Sequence, residues 1–230
     1  MSEISIEALA AAMDQTLLKP TIGFAEGASW VEANRDEGYG SLCVSPFLVP
    51  IAAQRLAGTR TAVCSVAGFP LGYANTESKA EEATHLVQLG CVEVDMVVNF
   101  AALLEGEDRF VRDDIHAVVE AVRDASEGQA LVKVILETGY LEEDDIVRGC
   151  GLAVEAGADF VKTSTGFGPR GASVRDVEIM RAAVGPDIGV KAAGGIRDLD
   201  TALAMLHAGA TRLGTSAGRE IIAEASERGL

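Results

Sequence analysis

The stretch Phe160-Val161-Lys162-Thr163-Ser164-Thr165-Gly166-Phe167-Gly168 sets a lysine inside a short apolar run that opens into a turn rich in hydroxyls and glycine. Lysine is strongly hydrated and is seldom fully buried without a partner. The chain has only five lysines, and Lys133, Lys162 and Lys191 all fall inside apolar, strand-like runs. Asp95 stands in another such run, Val92–Val98, and Asp14 and Glu137 lie at the ends of two more. Amines held together raise each other's cost of protonation, so at least one should lose its proton more readily than a free lysine. A neutral amine can add to a carbonyl and form a Schiff base. A carboxylate beside it can relay protons through water. The same residues could instead form a buried ion network that only fills the interior, and such networks also perturb proton affinities.

The elements that must hold these groups alternate between strand and helix. Runs with strand character stand at Met13–Leu18, Gly40–Ser45, Thr61–Ala67, Val92–Phe100, Leu131–Thr138, Phe160–Thr165, Gly189–Ala193 and Arg212–Ser216. Helical spacing marks Thr76–Leu89 (Ala80, Ala83 and Val87 on one face), Asp108–Ala125 (Phe110, Ile115, Val118, Val119, Val122), Glu142–Ala156, Ser173–Val184, Asp198–Ala208 and Ala217–Glu227, with a further helix over Ser2–Ala12. Thr76, Ser173 and Asp198 are expected N-caps, and Gly90, Gly157 and Gly209 expected left-handed C-terminal caps. Eight β/α units in 230 residues, with no linker or low-complexity segment, point to one domain over 1–230, a (β/α)8 TIM barrel with a short N-terminal helix. A doubly wound sheet is the rival; it usually has fewer strands and an early nucleotide fingerprint. In a barrel, chemistry gathers where the strands end and their loops begin.

Three glycine-rich turns follow late strands: Thr165-Gly166-Phe167-Gly168, Ala193-Gly194-Gly195-Ile196 and Gly214-Thr215-Ser216-Ala217-Gly218. Converging backbone N–H groups and a following helix N-terminus suit a phosphate, and this fold often binds one after its last strands. Gly166–Gly171 formally matches G-x-G-x-x-G, but it lies late in the chain and Lys191 falls near the place of the acidic ribose ligand, so a dinucleotide site is rejected. His85, His116 and His207 lie on helical patterns away from strand ends, and the spacings of Cys43, Cys64, Cys91 and Cys150 match no zinc motif. No metal and no cofactor are expected. The net charge of −16 argues against nucleic acid and anionic membranes as partners. No run suggests a signal peptide or a membrane span, so a cytoplasmic protein is expected. The oligomeric state is left open, with a homodimer among the choices.

Taken together, seven blocks resemble deoxyribose-phosphate aldolases, in that family's order. They are Asp14–Pro20, Leu42–Pro46, Gly68–Gly72, Val92–Val97, Val132–Gly139, Phe160–Phe167 and Val190–Arg197. The resemblance implies a metal-free, Schiff-base aldolase that reversibly cleaves 2-deoxy-D-ribose 5-phosphate to acetaldehyde and D-glyceraldehyde 3-phosphate. It makes Lys162 the Schiff-base lysine, Lys191 the second lysine and Asp95 the proton donor and acceptor. Asp14, Thr16, Cys43 and Thr165 would line the substrate pocket, with Lys133 counted among the substrate-binding residues. Gly166, Gly194, Gly195, Gly214 and Ser216 would hold phosphate. The chain departs from the family pattern at Gln15, Ser45 and Ala217, and it ends Arg228-Gly229-Leu230 without the terminal tyrosine of some members. The residues by themselves leave open a Schiff-base aldolase for another sugar phosphate or keto-acid, or a non-catalytic phosphosugar-binding barrel.

Overall fold

The computed structural model describes residues 4–230. Eight parallel strands close in sequence order: β1 Met13–Leu17, β2 Ser41–Val44, β3 Ala62–Ala67, β4 Glu93–Val97, β5 Leu131–Ile135, β6 Phe160–Lys162, β7 Gly189–Ala193 and β8 Arg212–Thr215, which pairs back with β1. The helices are α1 Ile6–Ala11, α2 Phe24–Asn34, α3 Val49–Leu56, α4 Thr76–Gln88, α5 Phe100–Leu104, α6 Asp108–Ser126, α7 Glu143–Glu155, α8 Val174–Val184, α9 Leu199–His207 and α10 Gly218–Glu227. The expected TIM barrel is the observed fold. No helix among the described residues is long and apolar enough to cross a membrane.

Alternation along the strands separates two interiors. Outward residues such as Met13, Leu42, Val94, Val134, Val161 and Val190 belong to the main apolar core beneath the helices. The intervening residues Asp14, Cys43, Cys64, Asp95, Lys133 and Lys191 face the barrel axis, where each is fully buried. The row of charges and the apolar core therefore lie on opposite faces of the strands.

Several boundaries differ from the sequence expectation. The run Val92–Phe100 stops as strand at Val97, because the Asn99 side chain accepts from the Ala102 N–H (3.1 Å) and starts α5. β6 ends at Lys162, although Thr163 still donates its N–H to the Lys191 carbonyl at 3.0 Å. The cap of α4 is Asn75, not Thr76: Asn75 accepts from the Ser78 N–H (2.9 Å), while the Thr76 hydroxyl donates to Asp114 (2.8 Å). The buried face of α4 is Lys79, Ala83 and Leu86, and in α6 Val111 is buried where Phe110 was expected. Three helices, α2, α3 and α5, were not anticipated. In α2 Gly27 weakens the helical signal, yet a Cβ there would lie 2.6 Å from Leu48, so glycine is what lets α2 pack. α3 opens on Val49-Pro50-Ile51, residues that read as strand or turn. Ser173 and Asp198 cap α8 and α9 as expected, and Gly90, Gly157 and Gly209 have φ of 104°, 87° and 110°. The expected Ser2–Ala12 helix is observed as Ile6–Ala11; Ser2 and Glu3 lie outside the described residues.

Candidate active site

Register brings the charged residues into contact. Asp95 is the lateral partner of Lys133, and Lys162 that of Lys191. Lys162 Nζ and Lys191 Nζ each donate to the same oxygen, Asp95 Oδ2, at 2.7 Å. Lys133 Nζ donates to the other oxygen, Oδ1, at 3.0 Å, and to Glu93 Oε2 at 2.5 Å. Asp14 pairs with Lys191, and its Oδ1 accepts from Arg212 at 2.5 Å. Arg212 also reaches Glu93 at 3.3 Å and lies over the Phe160 ring, 5.7 Å from its centroid, at the N-terminal end of the barrel. The connected set holds three carboxylates, Asp14, Glu93 and Asp95, against four cations, Lys133, Lys162, Lys191 and Arg212. Removal of one proton balances it, and Lys162, the last residue of its strand, stands nearest the loops.

Proton affinities follow from this packing. Burial alone would raise the Asp95 carboxyl, but the ammonium groups of Lys133, Lys162 and Lys191 outweigh it and hold it well below the usual range. Burial would likewise raise Asp14, and Lys191, Lys133 and Arg212 override it, so Asp14 too is held down. Burial would lower Lys191 and Lys133; the carboxylates Asp14 and Asp95 for the first, and Asp95 foremost for the second, push both above the ordinary lysine range. At Lys133 and Lys191 the carboxylates prevail over burial and over the neighbouring amines, so neither of these two is the lysine expected to lose its proton readily. Cys43 is drawn toward its thiolate by the Cys64 thiol, and Cys64 is raised by burial and by that same bond. Ligand atoms of Cys43, Cys64 and Asp95 lie within 4.8 Å of one another. Lys133 Nζ, however, sits 3.6 Å from the Cys64 sulfur and 3.0 Å from Asp95, where a metal ion would compete with it.

The glycine turns ring the C-terminal mouth. Gly166, Gly194 and Gly195 have φ of 88°, 88° and 82°, and a Cβ on Gly166 or Gly195 would meet nothing within 4 Å. The N–H groups of Gly166, Gly194, Gly195 and Ser216 donate to no protein acceptor among the described residues. Ser216 is exposed just before α10. Gly214 is placed differently from the expectation. It lies in β8, and a Cβ there would meet Ala193 Cβ at 2.8 Å and Lys191 Cε at 3.2 Å. Its lack of a side chain makes room for Lys191, and the turn proper begins at Ser216. Thr16 is the lateral partner of Cys43 and its hydroxyl donates to the Asp14 carbonyl (2.9 Å). Thr165 donates its N–H to Glu137 Oε2 at 3.1 Å. Phe69 and Phe167, from the loops after β3 and β6, meet edge-on at 5.4 Å. Gln15 accepts from the Gly218 N–H (3.0 Å) and so ties the start of α10 to β1.

Sequence reasoning missed Glu93, Cys64 and Arg212 as members of the charged set. Glu93 stands two residues before Asp95, and Arg212 two before Gly214, so the two-residue strand period could have placed both on the inner face. Buried Lys79 was missed as well: it sits behind β4, bound to Asp114 Oδ2 (2.7 Å) and the Val97 carbonyl (3.0 Å).

The comparisons agree with this geometry. The family model described as DeoC/LacD family aldolase matches residues 8–224. A deoxyribose-phosphate aldolase of Caldanaerobacter subterraneus is 47% identical over 228 residues, covering 99% of this chain and 98% of that protein. One from a Geobacillus species is 50% identical, covering 93% of this chain and 94% of the relative. Among solved structures, the aldolase QR15 superposes with a TM-score of 0.89 at 38% identity, covering 96% of each chain. The tetrameric deoxyribose phosphate aldolase of Aeropyrum pernix superposes at 0.86 with 31% identity, covering 97% of this chain and 92% of that one. With a family model spanning nearly the whole barrel and relatives this similar, the chain belongs to the DeoC/LacD family of aldolases.

Proposed function

We propose that Lys162 is the Schiff-base lysine in the reversible cleavage of 2-deoxy-D-ribose 5-phosphate to acetaldehyde and D-glyceraldehyde 3-phosphate. The observation that carries this reading is the single Asp95 oxygen shared by Lys162 and Lys191 at 2.7 Å each. Once Lys162 gives up a proton, the remaining cluster is balanced, and its nitrogen is free to add to the C1 carbonyl of the open-chain sugar. The proton that Lys162 gave up returns through water to the hydroxyl of the adduct, and loss of that hydroxyl as water leaves a protonated imine, which serves as an electron sink. The C3 hydroxyl then loses its proton as the C2–C3 bond breaks. The electron pair moves into the imine, giving an enamine on Lys162 and releasing D-glyceraldehyde 3-phosphate. Asp95, kept ionised by the ammonium groups of Lys133 and Lys191, accepts a proton through water and returns it to C2 of the enamine. Hydrolysis of the resulting imine frees acetaldehyde and the lysine. Lys191 stays charged throughout and keeps Lys162 beside a fixed cation.

The free N–H groups of Gly166, Gly194, Gly195 and Ser216 form the phosphate grip, with the start of α10 adding its dipole. Asp14, Thr16, Cys43 and Thr165 border the sugar, and Lys133 holds Asp95 from behind. Phosphate binding away from the reacting carbons orients them. The reading is tested by turnover of 2-deoxy-D-ribose 5-phosphate: the parent cleaves it, and Lys162→Ala falls to background. Equal rates in the two proteins would end it.

A further inference from the structure

Beyond β5 the chain passes through Glu137, one of two non-glycine residues with positive φ among the described residues (56°). The other, Glu127, is the C-terminal cap of α6 and has an ordinary explanation. Glu137 precedes a single 3-10 turn, Thr138–Tyr140, but its side chain makes no cap bond to that turn. The backbone is pinned on both sides of it: Leu136 donates its N–H to the Lys162 carbonyl and Thr138 to the Thr163 carbonyl, each at 2.9 Å. A left-handed conformation at a side-chain-bearing residue persists where surroundings enforce it, and it is found at sites that need a group aimed in an unusual direction.

Here the group aimed is the Glu137 carboxylate. It is 1% exposed, and its Oε2 accepts both from the Thr165 N–H at 3.1 Å and from the Thr165 hydroxyl. The Thr165 oxygen in turn accepts from the Phe167 N–H at 3.0 Å. Those bonds use the N–H groups on either side of Gly166 and leave the Gly166 N–H free at the mouth. Gly168 completes the fit: a Cβ there would stand 2.7 Å from the carboxylate carbon and from Oε1. Oε1 itself is buried and forms no hydrogen bond, so the carboxylate is held by Thr165 alone. A buried anion with one partner residue is costly to fold around, and the turn it shapes is the part of the molecule that benefits.

We propose that Glu137 is a positioning residue: through Thr165 and Phe167 it turns the Gly166 N–H toward the substrate phosphate. Glu137 touches no reacting atom. Its effect is on recognition of the phosphate end of the sugar, and the inference rests on Gly166 belonging to the phosphate grip.

The test compares 2-deoxy-D-ribose 5-phosphate with unphosphorylated 2-deoxy-D-ribose in the parent, Glu137→Ala, Glu137→Gln and Gly168→Ala. Loss of the charge-assisted bonds should raise KM for the phosphorylated sugar in Glu137→Ala by about tenfold or more. Its kcat should stay within about threefold of the parent, and kcat/KM for 2-deoxy-D-ribose should fall far less than that for the phosphorylated sugar, since an interaction made equally in ground and transition states moves KM alone. Glu137→Gln keeps an acceptor for Thr165 and should restore most of the parent KM. Gly168→Ala retains the carboxylate but displaces it, and should raise KM selectively for the phosphorylated sugar even if Glu137→Ala does not fold. Equal losses on both sugars, or a fall in kcat with KM unchanged, would overturn the proposal. A parent that does not distinguish the two sugars would overturn the phosphate grip and this inference together. A discriminating parent beside an equally discriminating Glu137→Ala would overturn the Glu137 role alone.

Discussion

Asp95 faces three ammonium groups with two oxygens, and the division of those oxygens sets the lysines apart. Lys133 takes Oδ1 and also has Glu93; Lys191 shares Oδ2 but also has Asp14; Lys162 has only its share of Oδ2. The two lysines with a second carboxylate are the ones held above the ordinary range. Lys162 has no second carboxylate to lose when it discharges. Lys191→Met should leave three cations facing three anions, so that Lys162 is needed as a counter-ion. Turnover at neutral pH should fall by about a hundredfold or more, a loss typical of a disabled proton-transfer site, and recover in part as the pH is raised. Unchanged turnover in that variant would contradict the role given to Lys191. Strand lysines and Asp95 were visible in the sequence because charge interrupts an apolar run. The raised proton affinities of Lys133 and Lys191 were not, because they depend in part on Asp14 and Glu93, which are distant along the chain and meet these lysines only when the barrel closes.

At the scale of elements, each strand supplies the barrel axis with residues at alternate positions while its helices are bound to the outer face. α4 and α6 show how the outer layer supports the inner one. Lys79 in α4 donates to Asp114 in α6 and to the Val97 carbonyl at the end of β4, two residues beyond Asp95. Burial draws Lys79 down, against the pull of Asp114, which is the balance expected of a buried pair. Asp114→Ala should destabilise the fold by about 3–5 kcal/mol, because it strands a buried ammonium. The double replacement Lys79→Met with Asp114→Leu should recover most of that loss; denaturant unfolding of the three proteins measures it. If Asp114→Ala unfolds at the parent's midpoint, the pair is not an anchor. Most strands and the longer helices could be read from periodicity. The α4 face was read one residue off, because a lysine was not expected to be the buried residue. α2 and α3 were missed where packing demanded Gly27 and where Val49-Pro50-Ile51 mimicked another element.

At the scale of the whole molecule, a chain of net charge −16 encloses a cluster whose carboxylates are fully matched by cations even after Lys162 gives up its proton, so the substrate does not meet the negative charge of the surface at the barrel axis. The cluster also ties stability to pH. Asp14 is held below its ordinary value in the folded state, so its contribution is complete above the unfolded value of about 3.9 and is lost as the pH falls through the lower folded value. Lys133 and Lys191 are held above theirs, so their contribution is complete below about pH 10 and is lost as the pH rises through the folded values. The difference in unfolding free energy between the parent and Asp14→Asn should therefore be constant from about pH 5 to 9 and shrink below about pH 4. A difference that grows on acidification would contradict the assignment. The closed barrel and the C-terminal position of its chemistry followed from eight strand–helix repeats. The N-terminal end, where Arg212 covers Phe160 and binds Glu93, did not: the strand period could put Arg212 and Glu93 on the inner face, but their meeting depends on closure of the barrel.

Lys162, alone among the three buried barrel lysines, is proposed to form the covalent intermediate. Incubation with acetaldehyde, reduction with borohydride and peptide mapping tests it most directly. A reduced two-carbon adduct is expected on Lys162 and none on Lys133 or Lys191. An adduct on either of those lysines, with Lys162 unmodified, would contradict it.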